Sequence, residues 1–229
     1  SETIRKLGNK QEARNTMKAA GVPIVPGSES AVFDSKSGME EAKKVGYPVM
    51  IKAVLGGGGK GMRMVETERE FEHNFHLAQS EAEKAFGDDA MYVEHFITKP
   101  RHVEVQILAD SHGNVIHLGE RDCSIQRNHQ KMIEEAPCAA LSEELRSRIG
   151  EAAVKAAKAA GYAGAGTIEF LLEKSGNFYF MEMNTRIQVE HPVTEWITGI
   201  DLIKEQLRIA DGRKLSYTQE QVKIEGHSI

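Results

Sequence analysis

The chain has 229 residues, of which 40% are hydrophobic and 28% are charged, so it can bury a core of ordinary size within one or two domains. Its 34 acidic and 29 basic residues give a formal net charge of −5, which argues against a protein held to nucleic acid mainly by phosphate contacts, since that requires a basic face. It has no apolar run of the ~18–20 residues that cross a bilayer, no apolar signal segment at its start, and only two cysteines, so we expect a reducing compartment and no membrane contact.

The part before residue 100 predicts three helices and three short strands. Glycines or prolines follow the first two helical stretches, and the third is long and polar. The predicted helices cover Lys10–Ala20, Ser37–Val45 and Glu68–Ala85, and the predicted strands cover Val49–Ala53, Met62–Val65 and Met91–Glu94.

After residue 100 the pattern favours hairpins. Val103, Val105 and Ile107 alternate with polar residues, which predicts one buried and one wet face, and the turn 111–114 leads to an antiparallel partner over 115–118. A helix follows from about Leu141 to Gly161, with Ser142 as its cap. Strands are predicted over Thr167–Leu171 and Asn177–Met183, and a last helix over Leu202–Ala210.

The order of these elements decides the fold class. Strands come in runs between helices, without regular strand–helix–strand alternation. We therefore predict an α+β fold with mainly antiparallel sheets, divided near residues 96–100 into a small lobe and a larger one.

The segment from Lys52 to Met62 holds a candidate anion-binding loop. Four glycines, residues 56–59, stand between two predicted strands, with Lys52 before them and Lys60 after them. Backbone N–H groups in a glycine run can wrap an anion, and the lysines add positive charge for phosphate oxygens. The spacing fits neither a Walker A loop nor a Rossmann turn. It indicates either a flap that closes over a triphosphate or a surface hairpin with a solvated lysine.

Two glutamates lie in the last pair of predicted strands. Glu169 is in one strand, and Glu182 and Asn184 are in the next. If the strands pair through the turn 174–176, two carboxylates and an amide oxygen come within reach of one ion, and such hard ligands suit Mg²⁺ or Mn²⁺. The alternative is that each glutamate faces solvent on a half-exposed strand.

The fourteen residues 182–195 are rich in polar groups that fit no helical stripe, and Pro192 would interrupt a helix there. On a path from strand to loop, Arg186, Gln188 and Glu190 fall on the same side. An arginine fork can hold a small oxyanion with two bonds, and a glutamate beside it can accept that anion's proton.

This segment resembles a signature of the biotin carboxylases, the ATP-grasp component of biotin-dependent acyl-CoA carboxylases. Lys52 with the glycine loop, residues 100–104, and residues 120–127 with 129–137 resemble further signatures of that family. The similarity runs in order from about Leu7 to Ile229. It implies an ATP-grasp fold with a leading helix and linker over 1–23, a small lobe with a glycine-rich flap over 24–96, and an incomplete large lobe over 97–229.

The resemblance implies nucleotide-binding roles along the chain. The matches to phosphate-contacting lysines are Lys10 and Lys52. The matches to the flap are Gly57, Gly58, Gly59, Lys60, Gly61 and Met62. The matches to the hinge that reads adenine are Glu94, His95, Phe96 and Ile97. The other nucleotide-pocket matches are His102, Gln126, His129, Glu169, Leu171 and Glu182.

The resemblance also implies a metal site and a reaction site. The metal-binding matches are Glu169, Glu182 and Asn184, for Mg²⁺ or Mn²⁺. The matches to the site for bicarbonate and biotin are Lys131, Arg186, Gln188, Val189 and Glu190. Arg186, Lys131 and Glu190 are the implied catalytic residues, with Glu190 as the base that deprotonates bicarbonate before it attacks the γ-phosphate of ATP. The implied product, carboxyphosphate, carboxylates biotin.

The implied partners follow from that reaction. They are a biotin carboxyl carrier protein or domain and a carboxyltransferase component of an acetyl-, propionyl- or methylcrotonyl-CoA carboxylase, in a homodimer or a larger complex. The implied compartment is the cytoplasm, or the mitochondrial matrix of a eukaryote.

Several alternatives stay open. Family members carry a domain before Leu7 and continue past Ile229, so we expect this chain to be truncated at both ends. It could then be a MgATP-binding module that is catalytically silent at this length. It could also come from a pyruvate or urea carboxylase, or be another ATP-grasp ligase that acts on a carboxylate or carbamate.

Overall fold

The computed structural model describes residues 10–55, 60–128 and 130–229, without the side chains of Lys10 and Gln11. The described residues form two compact units. One is built mainly from Val25–Thr98, and the other from Ala13–Ile24 with Lys99–Ile229. None of the helices among the described residues combines the length and the hydrophobicity needed to cross a membrane.

The first unit is a three-stranded antiparallel sheet with two helices. Its strands are β1 (Val49–Ala53), β2 (Met62–Val65) and β3 (Met91–His95), in the order β2–β1–β3. Its helices are α2 (Ser35–Val45) and α3 (Glu68–Phe86), after α1 (Lys10–Ala19) at the start of the chain. Although α3 is polar in composition, it buries Phe71, Phe75, Ala78 and Ala82. Their helical spacing gives one apolar stripe, which packs in the core of this sheet.

The second unit is a five-stranded antiparallel sheet in the order β6–β5–β4–β7–β8. The strands are β4 (Arg101–Ala109), β5 (Val115–Arg127), β6 (Gln130–Glu135), β7 (Gly164–Leu172) and β8 (Phe178–Asn184). The helices are α4 (Glu143–Ala159), α5 (His191–Thr198) and α6 (Leu202–Ala210), followed by a 3₁₀ turn at Gln219–Gln221.

Helices of this unit pack against both faces of the sheet and bury its apolar residues. Four alanines of α4 and Met17 of α1 share a core with Val105 and Phe170. A second cluster joins Leu108 and Leu118 of the sheet to Leu202 and Ile209 of α6. The central strands are therefore buried along most of their length, and Glu104 and Glu169 lie inside the protein, while Arg101 at the start of β4 is exposed.

Most predicted elements are confirmed, and their bounds shift by a few residues. The hairpin across 111–114, the pairing of β7 with β8, and the Ser142 cap are all present, the last through a 3.2 Å bond from Leu145 N to Ser142 Oγ. The prediction of one wet face on β4 is wrong, because Glu104 and Gln106 are fully buried. The end of β5 and the whole of β6, from the signature segments 120–137, were not predicted as strands.

The prediction for Pro192 is also wrong. Pro192 lies in the first turn of α5, where the missing N–H breaks no bond and the fixed φ suits a helix start. The polar segment therefore turns directly into a helix after Glu190.

Asp110 ties the β4–β5 turn to the segment after α6. Its buried carboxylate accepts bonds from His112 N at 2.9 Å, Asn114 Nδ2 at 2.7 Å and Leu215 N at 2.9 Å. Burial alone would raise the pKa of Asp110, but these hydrogen bonds lower it from 3.8 to about 2. The ionised carboxylate therefore stabilises the fold at pH values above the pKa that Asp110 has in the unfolded chain. This contribution is lost as the pH falls from about 4 to about 2.

We predict that Asp110→Asn lowers the free energy of unfolding by about 1–2 kcal/mol at pH 7, since the amide loses part of this bonding. The variant should also show a flatter dependence of that free energy on pH between about 4 and 2. Urea unfolding over a pH series measures both. Asp211→Asn is the control, because Asp211 makes an exposed ion pair with Arg213. Parallel pH profiles for Asp110→Asn and the parent would contradict the prediction.

Candidate active site

A lysine surrounded by three carboxylates marks the candidate site in the second unit. Lys131 of β6 donates to Glu104 of β4, to Glu169 of β7 at 2.8 Å, and to Glu190 before α5 at 2.8 Å. The lysine side chain is 16% exposed, and each glutamate side chain is 8% exposed or less. Four elements far apart in sequence therefore place their charged ends around one nitrogen.

The short distances between these charges shift their pKa values. Burial would lower the pKa of Lys131, but Glu104 and Glu169 raise it well above its ordinary value. Burial would likewise raise the pKa of Glu190, but the hydrogen bond from Lys131 lowers it. Near neutral pH the ammonium and the Glu190 carboxylate are therefore both charged, and Glu190 can accept a proton from a ligand.

Glu169 makes further contacts. Oε2 of Glu169 lies 2.9 Å from Nε2 of His102, and Oε1 accepts from Asn184 Nδ2 at 2.8 Å. Burial would raise the pKa of Glu169, but His102 and Lys131 lower it to about 2. Gln188 is buried beside it, with Nε2 3.4 Å from Oε1. Glu169 therefore stays ionised at the centre of the site.

The predicted pairing of Glu169 with Glu182 is confirmed in the backbone, where the two residues lie directly across β7 and β8. The Glu182 side chain is exposed, while Glu169 is 3% exposed. His102, Glu104 and Glu169 offer possible ligand atoms within 4.8 Å of one another. The ionised carboxylate of Glu169 and the hard oxygen atoms around it fit Mg²⁺ or Mn²⁺.

Two residues predicted for the reaction site, Arg186 and Val189, are exposed to solvent, unlike the buried side chains around Lys131. Arg186 is exposed, and its Nη1 donates to Ile187 O at 3.2 Å. Val189 is 92% exposed. Of the three residues predicted on one side, the structure brings Gln188 and Glu190 to the group around Lys131, and it does not bring the Arg186 guanidinium into those contacts.

The remaining predicted residues of this unit border His102. Its Nδ1 lies 3.1 Å from Nε2 of Gln126, and Leu171 is directly across from it in the β4–β7 pair. Leu171 is half-buried. His129 lies outside the described residues.

The first unit holds a second buried ion pair. Lys52 of β1 donates to Glu94 of β3, and Glu94 is 6% exposed. After Glu94 the chain passes through His95 and Phe96, both half-buried, to the buried Ile97. The structure thus joins a predicted phosphate lysine to the predicted adenine hinge.

The flap is described only at its ends. Gly61 has a φ of +66° and sits against Ala53 and Ala82, where a Cβ would lie 2.9 and 3.2 Å from their methyl carbons. Lys60 is exposed and Met62 is half-buried. Gly57, Gly58 and Gly59 lie outside the described residues, as does the side chain of Lys10.

Sequence reasoning missed two residues that organise the site. Arg121 was predicted only as part of a signature and Glu104 as a residue of the wet face of its strand, yet both are fully buried and Arg121 Nε donates to Glu104 Oε1 at 2.6 Å. The available signal was the run Glu120–Arg121–Asp122 inside a segment with apolar neighbours, since three charges in one strand require partners.

The two cysteines have structural surroundings. Both Cys123 and Cys138 are free and buried. Burial raises the pKa of each thiol, that of Cys138 to about 12. The thiolate fraction near neutral pH is therefore negligible, and neither residue is a nucleophile in this arrangement.

Comparison with known proteins shows the family of this chain. The carbamoyl-phosphate synthase L chain ATP-binding domain family matches residues 9–218. A biotin carboxylase from Nostoc sp. is 62% identical over all of this chain and 51% of its own length.

Solved structures show the fold. A biotin carboxylase complex from Campylobacter jejuni aligns with a TM-score of 0.93 at 52% identity, over 99% of this chain and 50% of that one. The biotin carboxylase domain of the 2-oxoglutarate carboxylase of Hydrogenobacter thermophilus, a dimer in complex with MgADP, ADP and bicarbonate, aligns with a TM-score of 0.92 at 51% identity, over 99% of this chain and 50% of that one. The chain spans about half the length of these relatives. It belongs, with the biotin carboxylases, to the carbamoyl-phosphate synthase L chain ATP-binding domain family and has their ATP-grasp fold.

Proposed function

We propose that this chain is the ATP-grasp part of a biotin carboxylase, which uses ATP and Mg²⁺ to activate bicarbonate and to carboxylate biotin on a carrier protein. The observation that carries the proposal is the contact of one buried ammonium, Lys131, with Glu169 and Glu190. A metal-binding carboxylate and a base must lie this close together if bicarbonate is to react with a metal-bound phosphate. The names of the relatives support the same reaction.

The base in this reaction is Glu190. Its carboxylate is ionised and Lys131 fixes its position, so it can take the proton of bicarbonate. A bicarbonate oxygen then forms a bond to the γ-phosphorus of ATP as the bond from that phosphorus to the β–γ bridging oxygen breaks. ADP leaves, and the product is carboxyphosphate. The C–O bond between the carboxyl carbon and the phosphate oxygen then breaks, which gives CO₂ and phosphate. The phosphate takes the proton of the biotin ring nitrogen, and that nitrogen forms a bond to the carbon of CO₂.

Charge stabilisation is the task of the lysines and of Arg186. The guanidinium is exposed and suited to hold bicarbonate with two bonds, beside Gln188 and Val189. Lys131 offsets negative charge that develops on the transferred phosphoryl group. Most of the catalysis is then positioning and electrostatics.

The nucleotide and the metal have their own residues. We assign the phosphates to Lys10, Lys52 and the flap, including Lys60, Gly61 and Met62. The adenine is assigned to the segment from Glu94 to Ile97, with His102, Gln126, His129 and Leu171 in the rest of the pocket. Glu169, Glu182 and Asn184 would hold Mg²⁺ or Mn²⁺, which when bound neutralises phosphate charge.

The partners and the location are parts of the same proposal. They are a biotin carboxyl carrier protein or domain, a carboxyltransferase of an acyl-CoA carboxylase, and a second copy in the whole protein. The Hydrogenobacter domain is a dimer, which supports the last of these. Two free buried cysteines suit the bacterial cytoplasm or the mitochondrial matrix. Residues 24–96 and 97–229 are the proposed small and large lobes.

Two alternatives each have a supporting observation. Because the chain spans about half of its relatives, it could bind MgATP without turning over until the other half is present. The similarity to a 2-oxoglutarate carboxylase also keeps carboxylases with a keto-acid acceptor, such as pyruvate carboxylase, as a source.

We predict that bicarbonate stimulates MgATP hydrolysis by this chain and that Glu190→Gln lowers the stimulated rate by at least about a hundredfold, because the base is lost. Nucleotide affinity should stay the same, since Glu190 contacts Lys131 and not the proposed nucleotide residues of the first unit. Coupled ADP release and calorimetric titration measure the two quantities.

Glu195→Gln is the matched control for Glu190→Gln. Glu195 lies on α5, the helix that Glu190 directly precedes, and its Oε1 accepts from Leu202 N, a bond that a glutamine oxygen can keep. Equal stimulated rates in the parent and Glu190→Gln would contradict the proposed role of the base. MgATP binding without any turnover in the parent would favour the silent module.

We further predict that Glu169→Gln raises the Mg²⁺ concentration needed for half-maximal ATP binding by at least about tenfold, because an ionised ligand becomes neutral. Calorimetric ATP titrations at a series of Mg²⁺ concentrations measure the shift without turnover. Glu173→Gln is the control, since Glu173 follows β7 in the same hairpin and its carboxylate bonds to Ser175 and Asn177 of the turn and to Tyr179 of β8, none of which is assigned to the metal or the nucleotide. An unchanged Mg²⁺ requirement in Glu169→Gln would remove Glu169 from the metal site.

A further inference from the structure

A buried arginine lies one layer beneath the proposed site. Arg121 has no exposed surface, and its guanidinium makes four contacts. Nε donates to Glu104 Oε1 at 2.6 Å, Nη1 to Gln106 Oε1 at 2.8 Å and to Thr194 Oγ1 at 2.9 Å, and Nη2 to Thr167 Oγ1 at 3.3 Å. These partners belong to β4, β7 and α5, so one planar group connects three elements.

The contacts of Arg121 are part of a closed series of polar contacts that includes Glu190, the proposed base. Glu104 receives Arg121 on one oxygen and Lys131 on the other. Lys131 donates to Glu190, and Glu190 directly precedes α5. Thr194 of α5 accepts a hydrogen bond from Arg121, which completes the series. Glu190 is therefore held from two directions, through its carboxylate by Lys131 and through its backbone by the helix that follows.

We infer that Arg121 is a positioning residue for the carboxyphosphate reaction, acting on Glu190 and Lys131 without touching a substrate. The inference rests on the proposed function. A rigid guanidinium with four partners fixes the Glu104 carboxylate in one orientation, and that orientation sets where the ammonium of Lys131 lies. The bond to Thr194 fixes the first turn of α5, and so the backbone at Glu190.

The contact with Thr194 can be removed with little disturbance. Replacement of Arg121 itself would leave Glu104 buried without one of its cations, which is strongly destabilising. Thr194→Val keeps the shape of the side chain and leaves Arg121 Nη1 bonded to Gln106. Thr194→Ser retains the hydroxyl and is the rescue variant.

Thr198→Val is the matched control. Thr198 lies one turn further along α5, and its Oγ1 donates to Thr194 O at 2.7 Å. The control removes the same chemical group from the same helix without changing the contacts of Arg121.

The helix carries its own reporter. Trp196 is the single tryptophan of the chain, lies on α5 and is 81% exposed. The decay of its fluorescence anisotropy therefore reports the mobility of α5 independently of turnover. The second measurement is bicarbonate-stimulated MgATP hydrolysis, with nucleotide affinity from calorimetry.

We expect Thr194→Val to lower kcat for stimulated hydrolysis about tenfold, since small displacements of reacting groups are costly, and to leave the Kd of MgATP within about twofold. The anisotropy of Trp196 should decay faster in this variant than in the parent. Thr194→Ser and Thr198→Val should match the parent in kcat and in anisotropy.

The two proposals fail separately. If the parent responds to bicarbonate and Thr194→Val keeps both its kcat and its anisotropy decay, even with a lower Tm, the positioning role is overturned and the proposed function stands. If the parent binds MgATP but shows no bicarbonate-dependent hydrolysis, the silent module is favoured over the proposed function. The anisotropy then decides alone, and an unchanged decay in Thr194→Val overturns the inference.

Discussion

The buried ion pair of Arg121 with Glu104 is the interaction on which the rest of the site depends. Both side chains are fully buried in a sheet that is covered along its central strands. Removal of either partner would leave an uncompensated charge inside the protein, at a cost of about 3–5 kcal/mol. The pair also determines where the second oxygen of Glu104 points, and Lys131 binds that oxygen. The position of Lys131 then sets its contacts with Glu169 and Glu190.

The antiparallel sheet explains why the charges meet at this place. Glu104 and Glu169 are directly opposite each other across β4 and β7, and Arg121 is opposite Glu104 across β4 and β5. Side chains of directly opposed residues point to the same face, so two carboxylates and one guanidinium must share a small volume. Lys131 on the edge strand β6 adds the second cation. Strand register thus builds the cluster, and the loop before α5 adds Glu190 to it.

The sequence alone predicts the local structure well and the buried charges poorly. The bounds of α6 are as predicted, the Ser142 cap is present, and the pairing of Glu169 with Glu182 follows from the turn between them. These features depend on neighbours a few residues away. The burial of Glu104 depends instead on distant parts of the chain, because the alternation along β4 is that of a half-exposed strand. Thr194 of α5 bonds to Arg121 on this face, and α6 packs on Leu108 of the same face. Pro192 was misjudged for a related reason, since its effect depends on whether the helix starts before it or after it.

The buried charges of this cluster hold the side chains of the site in fixed positions, but they add little to the stability of the fold. Among the described residues, the carboxyl groups of Glu104, Glu169 and Glu190 contact only two basic side chains besides His102, those of Lys131 and Arg121, so acidic groups outnumber these two basic ones. Apolar residues of similar volume would stabilise the sheet at least as well, because the desolvation of buried ions offsets most of their attraction. What apolar residues cannot do is fix a carboxylate at a set distance from an ammonium, or leave negative charge available for a divalent cation. The low pKa of Glu169, about 2, shows the same balance, since a carboxylate that stays ionised despite burial remains available as a ligand. The second unit therefore gives up packing energy at this cluster, where the proposed reaction needs fixed charges.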